Sequence, residues 1–273
     1  MADLLNRACE PLADIVDLDR YPIDDLESSA GRLLIDSCRE QLAERDICQL
    51  PGFLRPDAIE VTLAVAQSLK NKTWTASQDH NVYFVPVPDS DPTDARALLQ
   101  QSSQQALAYD LLPADLPLRA LYENDVFLRF VAAALSKPIL YRSVDPLDAL
   151  DISMFDPGQE LGWHFDNSDF SITLMLQPAE AGGYFDYVAH LRSADDDNHA
   201  GVSHFLRGGS NEVPVRLSPT AGMLSLFQGR EALHRVTPVE GSVTRVNSVL
   251  TFGDRPDMQL SELTRQLFYG RLA

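Results

Sequence analysis

The sequence predicts an α+β fold in which a mainly helical N-terminal half packs on an antiparallel β core. Two patterns carry this. Apolar residues recur at helical spacing in the first half, and after about residue 138 the chain breaks into short apolar runs punctuated by Gly, Pro and Asp. With 273 residues, 45% of them hydrophobic, the chain is long enough to bury a substantial core.

In the first half, Leu26, Leu33, Leu34, Cys38 and Leu42 mark a helix between Ile23 and Glu44, with Asp24 and Asp25 near its start. Ile47–Leu50 reads as a short strand closed by Pro51-Gly52, and Pro56–Lys70 as a second amphipathic helix. Asn81–Val87 has strand character and ends in a turn over 88–92, and Asp94–Tyr109 and Tyr122–Leu135 read as further helices. In the second half, strands are expected at Ile139–Tyr141, Ile152–Phe155, Ser171–Leu176, Tyr184–Val188, Met223–Phe227, Leu233–Val236 and Val243–Phe252. That cadence is that of an antiparallel sandwich or barrel. The organisation read from this is a single domain over 1–273, with a helical support region (1–138), a catalytic β core (139–256) and a C-terminal segment (257–273).

The formal net charge of −18 argues against nucleic acid or an anionic membrane as a partner, since both require a basic face. No apolar run is long enough to span a bilayer, and the N-terminus lacks a signal-peptide pattern. Cys9, Cys38 and Cys48 follow no metal-ligand spacing and read as reduced thiols, so a cytoplasmic enzyme is the expectation. Asp195-Asp196-Asp197-Asn198 reads as a solvated loop.

The chemistry is concentrated in Gly162-Trp163-His164-Phe165-Asp166 and the distant Leu233-His234-Arg235-Val236. On an extended segment His164 and Asp166 project to one face. Two imidazoles and one carboxylate can hold one face of an iron(II) ion and leave the other open. Alone, the motif is better read as two structural histidines and a surface aspartate. Arg245 changes the balance. If Pro238-Val239-Glu240-Gly241 closes a hairpin, Arg245 lies across from His234, where it would pair with the far carboxylate of a dicarboxylate chelating the metal.

The ordered string His164-x-Asp166, Ala181-Gly182-Gly183-Tyr184-Phe185, Gly222–Phe227, His234–Val239 and Arg245 resembles the iron(II)/2-oxoglutarate-dependent dioxygenases. Residues 150–255 carry most of the resemblance. Within that superfamily, Gly162–Asp166, Phe170–Gln177 and Phe268–Arg271 look most like the branch of free-amino-acid radical halogenases and their hydroxylase relatives. The resemblance implies a double-stranded β-helix (jelly roll) core with Fe(II) on His164, Asp166 and His234. It also implies that Arg245 binds the 5-carboxylate of 2-oxoglutarate, with Asn247 assisting it or reaching the substrate. The implied reaction uses O2, converts 2-oxoglutarate to succinate and CO2, and oxidises an unactivated C–H bond of a small molecule, a free amino acid or related metabolite.

Halogenases of that branch carry Gly or Ala where Asp166 stands, so the carboxylate favours hydroxylation. Desaturation, epoxidation or cyclisation at the same site, and a non-catalytic jelly-roll metal-binding module, are the alternatives. Arg142, Arg192, Arg230, Arg235 and Arg271 are candidate partners for a substrate carboxylate, with Arg235 expected to face away from the metal. Asp145, Asn167 and Asp169 are candidate polar contacts. Trp163 reads as packing, Gly182-Gly183 as a tight turn, and His80, His190, His199 and His204 as surface or core histidines.

Overall fold

The computed structural model describes residues 11–87 and 92–272. Cys9 and most of the 88–92 turn lie outside the described residues. The helices are α1 (Leu12–Ile15), α2 (Ser29–Arg45), α3 (Pro56–Ser68), α4 (Pro117–Glu123), α5 (Asp125–Ala134), α6 (His199–Leu206) and α7 (Glu262–Tyr269). Strands of the first half are β1 (Ile47–Leu50), β2 (Trp74–His80) and β3 (Gln100–Leu107). Then come β4 (Tyr141–Arg142), β5 (Leu150–Phe155), β6 (Glu160–His164), β7 (Ser171–Gln177), β8 (Ala181–Gly182), β9 (Phe185–Val188) and β10 (Val215–Leu217). The last are β11 (Leu224–Phe227), β12 (Leu233–Val236), β13 (Val239–Glu240), β14 (Arg245–Leu250) and β15 (Phe252–Gly253).

Eleven strands form one curled antiparallel sheet in the order β1-β11-β7-β14-β5-β3-β6-β12-β9-β10, with β2 on β3. β3 joins the two layers, because Gln105–Leu107 pair with β5 while Ser102 and Ser103 pair with β6. Period-two alternation sorts the larger layer. Ile172, Leu174, Leu176, Leu224, Leu226, Val246 and Leu250 join α2–α5 in the main core, and Thr173, Met175, Ser225, Phe227, Arg245 and Asn247 face the second layer.

The first half departs from the sequence reading at several places. The first long helix begins only at Ser29, where Ser28 Oγ accepts from Gly31 N, and it ends at Asp46 in a left-handed C-cap. Asn124 splits the expected Tyr122–Leu135 helix by capping Val126 N. Asn81–Val87 is not a strand. The buried Asn81 side chain accepts from Tyr83 N and Val85 N and donates to Val85 O, which replaces the ladder with a loop.

Asp94–Tyr109 is not a helix either. Asp94 caps a single turn at Ala95–Ala97, and the polar run that follows becomes β3, paired on both edges. Pairing partners overrode local propensity there. The first half is therefore not only a helical support, since three of its strands belong to the main sheet.

The hairpin expected to carry Arg245 is absent. β12 is already paired on both edges by β6 and β9, and Val239–Glu240 pair with β8. After Gly241, at φ 86°, the chain crosses to the larger layer, where Arg245 pairs with Phe155.

Candidate active site

His164 closes β6 and lies opposite His234 on β12. Their ring centroids are 4.0 Å apart. Asp166 Oδ1 lies 3.7 Å from His164 Nε2 and 3.4 Å from His234 Nε2. The potential ligand atoms of the three residues all fall within 4.8 Å of one another, the arrangement of a group that can hold one metal ion. Both Nδ1 atoms face backbone carbonyls, His164 to Gly162 O at 2.8 Å and His234 to Ala232 O at 2.9 Å. Donation there leaves both Nε2 lone pairs turned inward, as a metal requires.

Burial, reinforced by His234, pushes the His164 imidazolium down to about pKa 3, so the ring is neutral at physiological pH. Burial alone would raise the Asp166 carboxyl, but His234 above all, with His164 and a hydrogen bond from Ser171, holds it below its ordinary value. Asp166 Oδ2 is buried without a hydrogen-bond partner. An orphaned buried carboxylate oxygen beside two inward Nε2 atoms fits a cation. Backbone geometry makes room for it. Asp166 N donates to Gly229 O, and a Cβ at Gly229 would stand 1.9 Å from Asp166 Oδ2.

The orientation of His164 is carried further back by β3. Gly162 N donates to Ser102 Oγ at 2.9 Å, and Ser102 Oγ lies 2.6 Å from His80 Nε2. His80 stacks on Phe84 at 4.4 Å, and Phe84 lies 5.7 Å from the His164 ring. Phe84 has φ 54°, a conformation that costs a bulky L-residue about 1–3 kcal/mol and is held here by the Asn81 loop.

Arg245 and Asn247 project from β14 into a cavity lined also by Gln49, Thr173, Ser225, Phe185 and Phe227. Phe185 and Phe227 lie against the His234 ring at 5.5 and 4.8 Å, so this cavity abuts the triad. Arg245 is buried, donates through Nε to Gly183 O, and lies over the Phe155 ring. Among the described residues it has no carboxylate partner. Burial lowers its pKa to about 10, the mark of a desolvated cation without a counter-ion. Gly182 and Gly183 both take positive φ in the turn beneath it.

A second, polar hollow contains Asp166 with Asn167, Tyr83, Arg96, Arg192 and Arg230. Arg192 and Arg230 thus stand near the triad, while the other candidate arginines do not. Arg142 pairs with Asp125, Arg271 with Asp110, and Arg235 with Asp186 while lying over Trp163. Asp145 serves a buried ion pair with Arg265, and Asp169 pairs with Arg230 and Lys137. His190 pairs with Asp46, and His204 packs beside Gly209. The sequence reading missed Arg96 and Phe84 as residues of this region and set His80 aside. A positive-φ phenylalanine leaves no trace in residue spacing.

A jelly-roll sheet enclosing a His-Asp-His group defines the class: an iron(II)/2-oxoglutarate-dependent oxygenase. Residues 34–268 match the model of the Halogenase D family, and the chain belongs to that family. No curated protein matches by sequence. Among solved structures, the fold is similar to a 2OG-Fe(II) oxygenase family oxidoreductase from Burkholderia pseudomallei (15% identity, TM-score 0.51, covering 82% of this chain and 92% of that one). It is also similar to a Trichoplax adhaerens prolyl hydroxylase in complex with a hypoxia-inducible-factor peptide fragment (13%, 0.53, 82% and 93%). A third is the epimerase SnoN in complex with Fe3+, alpha-ketoglutarate and nogalamycin RO (15%, 0.56, 82% and 84%). No helix among the described residues is long and apolar enough to cross a membrane.

Proposed function

We propose that the protein hydroxylates an unactivated C–H bond of a small molecule, a free amino acid or related metabolite, with His164, Asp166 and His234 as the iron ligands. Iron(II) bound there supplies the oxidising chemistry as O2 and 2-oxoglutarate are converted to succinate and CO2. Arg245 holds the far carboxylate of 2-oxoglutarate, and its buried guanidinium, without a carboxylate partner among the described residues, supports that role. Asn247, on the same face of β14, borders the same cavity. Phe185 and Phe227 keep water from the passage between Arg245 and His234.

The single observation that carries hydroxylation over halogenation is Asp166. Its Oδ1 lies 3.4–3.7 Å from both imidazole Nε2 atoms, so the carboxylate would take a third metal position that a Gly or Ala there would leave to a halide. The test is aerobic turnover of candidate substrates with iron(II), 2-oxoglutarate and chloride, reading succinate and product mass. A gain of one oxygen is the expected result. A chlorinated product from the unaltered enzyme would overturn the assignment, and a loss of two hydrogens would indicate desaturation or cyclisation instead.

A further inference from the structure

The polar hollow beside Asp166 does not end at its arginines. It shares Val85, Pro86 and Asn167 with a second hollow lined by Phe84, Val87, Leu99, Leu263, Leu267 and Phe268. We propose that this double hollow binds an anionic amphiphile, a carboxylate carrying an apolar chain, with the carboxylate on Arg192 and Arg230 and the chain between the 81–87 loop and α7. The proposal rests on the oxygenase reading and names the substrate class that reading leaves open.

The head end gathers Arg96, Arg192 and Arg230 beside Asp166 and Asp197, in a protein of net charge −18. Arg192 is fixed by Asp197 at 2.6 Å and by the Tyr83 and Phe165 rings, which leaves its terminal nitrogens to a ligand. Arg96 is held as a bidentate pair by both oxygens of Asp94. Among the described residues Arg230 meets Asp169 Oδ1 at 3.3 Å and the Asn167 carbonyl at 3.5 Å, and Asp169 is shared with Lys137. With Asp166 given to the metal in the oxygenase reading, Arg192 and Arg230 are the cations of this hollow with donor capacity left for one carboxylate.

The tail end is apolar at an open mouth. Leu263 is 78% exposed, Leu99 56% and Val87 51%, and large apolar side chains grouped at a cleft mark a binding surface. Two of the polar groups there are already engaged. Asn81 closes its own loop, and both His80 nitrogens have partners. Asp79 is exposed at the edge, so no buried acid awaits an ammonium. Phe84 links the two ends to the triad through its contact with His164.

The experiment uses the anaerobic full-length protein with iron(II), with and without 2-oxoglutarate, titrated by calorimetry. Ligands are 2-amino acids with linear side chains of two to six carbons, the matching unsubstituted carboxylates, lysine and glutamate. Affinity should rise about threefold to fourfold per methylene. Leu267→Ser and Phe268→Ser should flatten that dependence. Arg230→Gln and Arg192→Gln should weaken all chain lengths alike, about tenfold or more, with 2-oxoglutarate affinity unchanged. Preference for either carboxylate series supports the proposal and tells amino acids from simple acids. Tightest binding of lysine or glutamate, or no dependence on chain length, overturns it. The visible band of the iron–2-oxoglutarate complex, recorded in parallel, tests the oxygenase reading separately, since the chain-length series decides on the amphiphile with or without that band.

Discussion

Single residues set what this pocket can hold. Gly229 is there because Asp166 Oδ2 occupies the space a Cβ would need. Gly229→Ala should therefore displace the carboxylate and weaken iron(II) binding about tenfold or more, measured by metal titration, while thermal stability changes little. Arg245→Gln should raise the KM for 2-oxoglutarate by a factor of about ten to a hundred, since a charge-assisted contact to a buried carboxylate is worth roughly 1.5–3 kcal/mol. An unchanged KM would remove Arg245 from that role. His164, Asp166 and His234 were legible because two-residue spacing on a strand and a later strand-borne histidine are local patterns. Arg245 was legible as a residue, but its route to the pocket was not. Period two along β14 turns it inward, whereas the hairpin argument placed it on the wrong neighbour.

At the scale of elements, α7 illustrates how charge and packing are coupled. Tyr269 at its end donates to Asp148 Oδ1 and Asp151 Oδ2, both at 3.2 Å. Burial, and for Asp148 the neighbouring Asp151, raises these carboxyls to about 7 and about 6. A carboxyl raised above its unfolded value near 4 favours the folded state most fully at low pH. That contribution is lost as pH climbs through about 6 to 7. The melting temperature should fall between pH 5 and pH 8 more in the unaltered protein than in Asp148→Asn, and equal slopes would refute the coupling. The strands of the second half were readable because Gly, Pro and Asp bracket each apolar run. β3 was not, since Gln100-Gln101-Ser102-Ser103-Gln104-Gln105 has no apolar alternation and becomes a strand only because neighbours pair with it.

For the whole molecule, the main core lies between the helices and the outer face of the larger layer, away from the metal pocket. Phe53 is fully buried there, against Tyr21, Phe127 and Phe130. Phe53→Ala should cost about 3–5 kcal/mol in denaturant unfolding, yet leave 2-oxoglutarate affinity intact in the folded fraction. The α+β class was legible at this scale because helical periodicity dominates the first half and strand-length apolar runs the second, although β1–β3 and α6–α7 cross that division. The closure of the sheet was not, since it depends on pairings between residues far apart in the chain.

The double pairing of β3 also has a consequence in time. Residues 100–107 emerge during synthesis with only β2 to meet, and their other partners, β5 and β6, are made roughly 45 to 60 residues later, as the Leu107–Ile152 and Gly162–Ser102 contacts show. Pairings of such separation form late in folding. The nascent chain thus carries an open, glutamine-rich edge until β6 arrives, and His164 gains its aim in that same closing step. Iron capture then follows the completion of the sheet, and pulse-labelled hydrogen exchange should find the amides of β6 and β12 protected after those of α2 and α3.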